Sequence, residues 1–294
     1  MWIGVRKRFS RFHSSLRLTP EQLEDGRIKE LGVRKKLHRT YYDVTTDHPL
    51  GFVVGSWGKG TAVSPPNDLD IFFELPISVY ERLNTNAGNV QSQLLQEVRG
   101  HLLDRYPQTE VRGDNQVVAI GFNTLTVEVV PAFRYDQAGR FYMPDTTAGG
   151  RWRLVDPAAT QNEIEVADAI SNGNVRPLAM MIKTWKRECN VPIKSYQIEL
   201  LVARFMSNYE YRQYDYFWYD WFVRDFFIFL CAQTSQELSI PGTGESVNLG
   251  DSWHSRAVTA RDRALRACGY EHVDRVEEAG EEWQKIFGLR IPIA

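Results

Sequence analysis

Two short motifs decide the fold of this chain: Gly55-Ser56-Trp57-Gly58-Lys59-Gly60-Thr61 and, shortly after it, Asn67-Asp68-Leu69-Asp70-Ile71-Phe72-Phe73. The β-prone run Phe52-Val53-Val54 stops at Gly55-Ser56, which predicts a strand that turns directly into a short helix. Such a turn offers unpaired backbone N–H groups and the Ser56 hydroxyl to an anion, and glycine lets a phosphate approach the backbone closely. The first motif is therefore a candidate cradle for a triphosphate.

The second motif places two carboxylates side by side. Asp68 and Asp70 are two residues apart on a predicted strand, so both point to one face while Leu69 points into the core. Two adjacent carboxylates repel each other unless a cation neutralises them, and hard oxygen ligands select Mg²⁺ or Mn²⁺. The pair is a candidate metal site.

A third acid lies on another predicted strand. In the segment 124–131, alternation places Leu125, Val127 and Val129 on one face and Glu128 on the other. An acid in so apolar a strand is costly to bury without a partner, and a metal ion is such a partner. Three carboxylates on adjacent strands can hold two cations about 4 Å apart for an in-line phosphoryl displacement.

Each motif alone is weak evidence of function. Gly-Ser occurs by chance in many proteins, and two acids spaced by one residue often lie at a strand edge or in a turn. The P-loop interpretation is excluded because Lys59 lacks the G-x-x-x-x-G-K-[ST] frame. The order and spacing of Gly55-Ser56, Asp68, Asp70 and Glu128 together favour a nucleotidyltransferase site.

Composition excludes several classes of protein. The 294 residues are 43% apolar and 24% charged, which excludes disorder and allows one large domain or two modest ones. A net charge of −2 argues against a protein that coats nucleic acid, and three cysteines without C-x-x-C spacing indicate a reducing compartment. The absence of a long apolar run predicts a cytoplasmic protein without a membrane partner.

Charge is unevenly distributed along the chain. Residues 1–40 carry eleven Lys or Arg against four acids, so this basic stretch is balanced by a net acidic remainder. The basic residues could contact RNA, DNA or a protein partner, but we favour a solvated helix face. Thr19-Pro20 is a typical helix start, and a helix over about 20–43 is predicted.

The pattern changes character near residue 160. Before it, strands and helices alternate; Gly, Pro and Asp are dense between Tyr135 and Thr160, which predicts a long loop that crosses between two lobes. After it, the pattern is helical. The predicted domains are therefore a core lobe over 1–160 that includes the long N-terminal helix, and a helical lobe over 161–294.

Aromatic residues are concentrated in one segment of the helical lobe. Residues 209–229 hold twelve of the chain's 36 aromatic side chains, which could stack on bases. A contiguous aromatic stripe at helical spacing more often fills a core, and we favour that interpretation.

At its Gly-Ser, Asp-x-Asp and distal acid positions the chain resembles the nucleotidyltransferases of the DNA polymerase β superfamily. Within that group it is most similar to the bacterial relatives of cyclic GMP-AMP synthase and oligoadenylate synthase, the CD-NTases. One departure is Glu128, where many relatives carry Asp. The likeness covers most of residues 50–290 and extends to the segments 127–133, 149–152 with Asp156-Pro157, 176–186, 192–201 and Trp283 to Gly288.

The resemblance implies further site residues. Lys183 corresponds to a helix lysine that binds the donor's phosphates, although spacing alone favours a solvated lysine. Ser195 corresponds to a phosphate-binding serine, although helix capping alone would explain it. Tyr196 corresponds to an aromatic residue that stacks on the donor base. Trp57 and Trp152 are packing or cleft-wall residues, and the sequence does not choose between these two roles.

The resemblance also implies a fold and a reaction. The fold is an α+β, polymerase-β-like nucleotidyltransferase core with a mixed sheet, plus a C-terminal helical lobe, with a nucleotide cleft between them. Two Mg²⁺ ions on Asp68, Asp70 and Glu128, replaceable by Mn²⁺, assist attack of a ribose hydroxyl on the α-phosphorus of an NTP, with loss of pyrophosphate. The substrates are ATP, GTP or both, and polymeric nucleic acid is not required. The product is a cyclic di- or trinucleotide second messenger in antiphage defence, which a separate effector protein senses.

Two alternatives remain open at this stage. A linear oligonucleotide synthase, or an enzyme that modifies a tRNA or protein, shares the metal site and differs only in the acceptor. A binding module with a vestigial nucleotide site would dock through the basic N-terminus. The three intact acids argue against the second.

Overall fold

The computed structural model describes residues 2–294 and divides them into two compact units. The sheet unit comprises residues 18–58 and 65–160. The helical unit comprises the residues up to 17, the short segment 59–64 and the residues from 161 onward. Each unit has its own apolar core.

Seven strands of the sheet unit form one mixed sheet in the order β1-β2-β5-β4-β3, with β6 beside β5 and β7 beside β6. The strands are β1 Phe52–Val53, β2 Asp68–Glu74, β3 Glu110–Asp114, β4 Val117–Gly121, β5 Thr126–Arg134, β6 Phe141–Asp145 and β7 Arg151–Val155. Only β2 and β5 run parallel; the other pairs are antiparallel.

Most residues of the two parallel strands are buried. Ile71 and Val129 are fully buried in the main core of this unit, while Phe72 and Val130 pack in a second cluster with Phe141. Apolar residues at consecutive positions are typical of a strand covered on both faces. The strands that carry the predicted acids are therefore packed against apolar residues on both faces.

The helices of the sheet unit cover this sheet, and they include the helix expected over about 20–43 and the short helix expected after β1. They are α2 Pro20–Tyr42, α3 Gly55–Gly58, α4 Ile77–Leu83 and α5 Val90–Leu103. Helix α2 begins at a capping box in which Thr19 Oγ1 accepts from the Gln22 backbone N–H and Gln22 Oε1 accepts from that of Thr19. It ends at Asp43, whose φ of +52° is left-handed.

The predicted long loop between Tyr135 and Thr160 is wrong. Strands β6 and β7 form an antiparallel hairpin there, and Phe141 lies opposite Val155. The dense Gly and Asp residues lie in the turns: Gly139 precedes β6 and Gly150 lies between β6 and β7, and both adopt positive φ. The segment then enters helix α6 at Pro157, before the predicted lobe boundary.

The helical unit contains, within the described residues, seven α-helices and one small hairpin; the first four residues of α6 group with the sheet unit. The helices are α1 Val5–Leu16, α6 Pro157–Ile170, α7 Val175–Glu188, α8 Ser195–Asn208, α9 Tyr219–Cys231, α10 His254–His272 and α11 Val276–Phe287, and the hairpin pairs β8 Glu237–Ser239 with β9 Ser246–Asn248. Within residues 2–294, no helix is both long enough and apolar enough to span a bilayer.

Aromatic side chains fill the core of the helical unit. Phe222, Phe226 and Phe227 of helix α9 are fully buried beside Trp185 and Trp283. The core interpretation of segment 209–229 is confirmed for these residues. Tyr214 is an exception because it remains 45% exposed.

The interpretation of the basic N-terminus as a solvated face is wrong at one position. Arg6, Lys7 and Arg11 are exposed, but Arg8 is fully buried in helix α1. Its guanidinium pairs with the buried carboxylate of Glu271 and donates to the Val276 carbonyl at 2.7 Å. Arg8 therefore anchors α1 within the helical unit.

Asp220, at the start of α9, gives this unit a pH-dependent stability. Burial raises the pKa of its carboxyl to about 7, although Arg224 and nearby backbone N–H groups oppose the shift. Because the folded state holds this proton more tightly than the unfolded state, stability falls as pH rises from about 4 to about 7.

We expect Asp220→Asn to be more stable than the wild type at pH 8, by roughly 1–3 kcal/mol, because no buried charge remains. At pH 5 the difference should shrink, since wild-type Asp220 is then protonated. Thermal unfolding at both pH values measures this. A variant equally destabilised at both pH values would contradict the assignment.

Candidate active site

The turn after β1 is built around glycine. Gly55 has a φ of +60°, and a Cβ at this position would overlap the Asp70 carboxylate. The Val54 N–H donates to the Asp70 carbonyl at 2.9 Å, so the turn is fixed to strand β2. Helix α3, which contains Ser56, is only four residues long. It therefore contributes backbone N–H groups rather than the dipole of a long helix.

The pairing of β2 with β5 brings the predicted acids together. In the parallel register Asp70 lies opposite Glu128 and Asp68 lies opposite Thr126. Neighbouring strands are about 4.8 Å apart, and residues two apart share a face. Leu69, between the aspartates, is buried at 1% exposure. Asp68, Asp70 and Glu128 consequently form one acidic face.

The electrostatic surroundings of Glu128 perturb its carboxyl group strongly. Burial, followed by repulsion from Asp70 and Asp68, raises the pKa of its carboxyl to about 7. Three oxygen-donor groups that repel one another on one face suit a hard divalent cation. Within residues 2–294, however, no three acidic, His or Cys side chains are already close enough to hold one ion. The donor set fits a metal ion but is not preassembled around one.

Trp57 contacts the strand that carries the two aspartates. Its Nε1 donates to the Asp68 carbonyl at 2.8 Å, and its ring packs so closely on Gly26 that a Cβ there would overlap it. Trp152 instead packs edge-on against Phe133 and donates to Asn84 Oδ1 at 3.1 Å. The structure thus gives both tryptophans packing roles.

Lys183, on helix α7, is not the solvated lysine that spacing alone favours. Its side chain is 10% exposed. The ammonium donates to the Thr61 carbonyl at 2.9 Å and to Glu199 Oε1 at 3.0 Å. Lys183 therefore lies in a buried polar cluster of the helical unit.

Ser195 and Tyr196 begin helix α8. The helix cap is Lys194 rather than Ser195: the Lys194 N–H donates to Gln197 Oε1 at 2.9 Å. The Ser195 hydroxyl instead accepts from Lys186 Nζ at 3.0 Å. Tyr196 is half-buried against the core. Helix capping therefore does not account for Ser195. Its hydroxyl lies beside the Lys186 ammonium group.

Four polar residues that sequence analysis did not assign a role lie around these side chains: Lys59, Thr61, Lys186 and Glu199. Glu199 accepts from Lys59 Nζ at 2.5 Å and from Thr61 Oγ1 at 2.5 Å, as well as from Lys183. Burial opposes ionisation, but Lys183, Lys59 and Thr61 outweigh it and lower the pKa of Glu199 to about 2. One signal was present in the sequence, since Glu199 interrupts an apolar run as Glu128 does.

Comparisons with known proteins point to one group. Residues 3–167 match the family described as the Second Messenger Oligonucleotide or Dinucleotide Synthetase domain. A cyclic AMP-AMP-AMP synthase of an Acinetobacter species is 27% identical over 267 residues, which is 87% of this chain and 76% of that protein.

Solved structures share the fold. The apo form of Vibrio cholerae DncV superposes with a TM-score of 0.79 at 11% identity, covering 98% of this chain and 96% of DncV. Escherichia coli MS115-1 CdnC, solved with ATP, superposes with a TM-score of 0.73 at 18% identity, covering 99% of this chain and all of CdnC. The family match, the fold and the acidic face agree: this chain belongs to the second messenger oligonucleotide or dinucleotide synthetases, the CD-NTase nucleotidyltransferases, which make cyclic nucleotide second messengers.

Proposed function

We propose that Asp68, Asp70 and Glu128 are the catalytic acids of this chain and that they hold two Mg²⁺ ions, with Mn²⁺ as a substitute. The observation that carries the proposal is the parallel register that sets Asp70 opposite Glu128, with Asp68 on the same face. CD-NTases generally use divalent metal ions. When bound here, the metal would neutralise the three carboxylates and the phosphates of the substrate.

In this scheme, residues of the chain bind and orient the donor nucleotide. Gly55 keeps the turn open beside Asp70, so its backbone and the Ser56 hydroxyl can approach a phosphate. Lys183 and Ser195 bind the donor's phosphates, and Tyr196 stacks on the donor base. Two contacts support these roles. The buried hydrogen bond of Lys183 fixes its ammonium group, and the Lys186–Ser195 hydrogen bond fixes a second ammonium group beside the Ser195 hydroxyl.

The reaction is attack of an acceptor nucleotide's ribose hydroxyl on the α-phosphorus of a donor NTP. The new bond is a phosphodiester, pyrophosphate leaves, and one further round closes a dinucleotide ring or two further rounds close a trinucleotide ring. We propose ATP as one substrate, since the Acinetobacter relative is named a cyclic AMP-AMP-AMP synthase and CdnC was solved with ATP. The product would act as an antiphage signal sensed by a separate effector protein.

Pyrophosphate release with each NTP and Mg²⁺ tests the reaction type. We expect release from ATP alone or from ATP mixed with a second NTP, together with transfer of α-labelled phosphate into a nucleotide product. Transfer that occurs only when tRNA or protein is added would instead indicate a macromolecular acceptor. Absence of transfer under every condition would refute the proposed function.

A further inference from the structure

A buried charged cluster in the helical unit surrounds Glu199. We call the four side chains Lys59, Thr61, Lys183 and Glu199 the Glu199 cluster. The two lysines and the glutamate are between 2% and 10% exposed, and Thr61 is fully buried. Because two cations face one anion, the cluster carries one excess positive charge. Burial of such a group is costly, so its contribution to stability does not by itself account for it.

The Glu199 cluster also fixes a short segment of chain. Residues 59–64, which we call the strap, pack in the helical unit although the residues before and after them belong to the sheet unit. Arg176 Nε donates to the Lys59 carbonyl at 2.9 Å, and the Ser64 N–H donates to the Leu16 carbonyl at 2.8 Å. Along the chain, Ser56 lies three residues before the strap and Asp68 four residues after it.

We propose that Glu199 is a positioning residue for nucleotidyl transfer: its carboxylate holds the Lys183 ammonium and the strap in one arrangement and leaves net positive charge for the donor's phosphates. This inference rests on the proposed function, in which Lys183 binds those phosphates. Glu199 itself touches neither substrate nor metal in this scheme. It acts through the three side chains it accepts from.

Three variants test whether Glu199 positions Lys183 or only balances the buried positive charge. Glu199→Gln removes the anion and leaves two buried lysines facing each other, so this variant can fold poorly. Lys59→Met keeps the Glu199–Lys183 pair. The double variant Lys59→Met with Glu199→Gln restores the wild-type net charge but lacks the carboxylate that holds Lys183. Glu282→Gln is the matched control, since Glu282 is also buried between two cations, Arg266 and Lys285, in the same unit.

The readouts are the unfolding temperature, kcat and KM for ATP, and the affinity for the Mg²⁺ complex of a non-hydrolysable ATP analogue. We expect the double variant to unfold near the temperature of Lys59→Met. The kcat/KM of the double variant should nevertheless be about 10²-fold lower than that of Lys59→Met, with weaker analogue binding, because Lys183 loses its ionic partner and keeps only uncharged hydrogen-bond acceptors such as the Thr61 carbonyl. Glu282→Gln should keep the wild-type kcat/KM.

A double variant that binds the analogue and turns over ATP as Lys59→Met does would overturn the inference, because Glu199 would then only balance charge. Failure of the proposed function gives a different result: the wild type forms no product. In that case the analogue affinities of the double variant and of Lys59→Met still decide whether Glu199 positions Lys183.

Discussion

Replacing Asp68 and Asp70 together by alanine is expected to reduce product formation by at least about 10³-fold, a loss of roughly 4 kcal/mol of transition-state stabilisation. The acidic face would retain only Glu128, and in the proposed scheme one carboxylate is too few to hold the metal ions and orient the triphosphate. Pyrophosphate release under saturating NTP and Mg²⁺ measures the loss.

The stability of this double variant should not fall with its activity. Both aspartates raise the pKa of Glu128, so their removal relieves repulsion on the metal-free acidic face. We expect the unfolding temperature without Mg²⁺ to stay level or rise. The control is Asp47→Ala with Asp104→Ala, which removes two exposed acids from the same unit and should leave activity intact. A large loss of folding in the Asp68 and Asp70 variant would show that these acids serve structure, contrary to their catalytic assignment.

Replacing Gly55 by alanine is expected to abolish most activity, by about 10²-fold or more. The new Cβ would overlap the Asp70 carboxylate. The alanine would also have to adopt a φ of +60°, which is unfavourable for a residue with a side chain. Strand β2 is held by buried neighbours on both faces, so the Asp70 side chain or the turn must shift. Steady-state kinetics and thermal unfolding of the variant measure the two effects.

The variant Gly139→Ala is the control that separates backbone strain from displacement of the Asp70 side chain. Gly139 also has a positive φ, +90°, but no atom would lie within 4 Å of a Cβ there. Both variants should therefore lose about 1–3 kcal/mol of stability through backbone strain. Only Gly55→Ala should lose activity. Equal activity in the two variants would mean that the space beside Asp70 is not needed for catalysis.

The acidic face was largely predictable from sequence because it depends on local geometry. Alternation along a strand determines which side chains share a face, so Asp68 and Asp70 could be paired and Glu128 separated from its apolar neighbours. The alignment of Asp70 with Glu128 was not predictable in this way. Parallel strands meet through a long connection, and their register depends on the whole sheet.

Other features escaped prediction for related reasons. Hairpin β6–β7 is formed by pairing across a turn, and its Gly and Asp residues alone indicate a loop. The Glu199 cluster joins residues more than a hundred positions apart, and no local spacing reveals that contact. Helix α1 did leave a local signal, since Val5, Phe9, Phe12 and Leu16 have helical spacing and are all buried.

The mass spectrum of the products that the wild-type protein forms from all four NTPs with Mg²⁺, taken after phosphatase treatment, tests the central claim most directly. A cyclic oligonucleotide has no terminal phosphate, so phosphatase leaves its mass unchanged. We predict a phosphatase-resistant product whose mass equals that of two or three nucleoside monophosphates less one water for each. Linear products that lose their terminal phosphates to the phosphatase, or no nucleotide product at all, would contradict the claim.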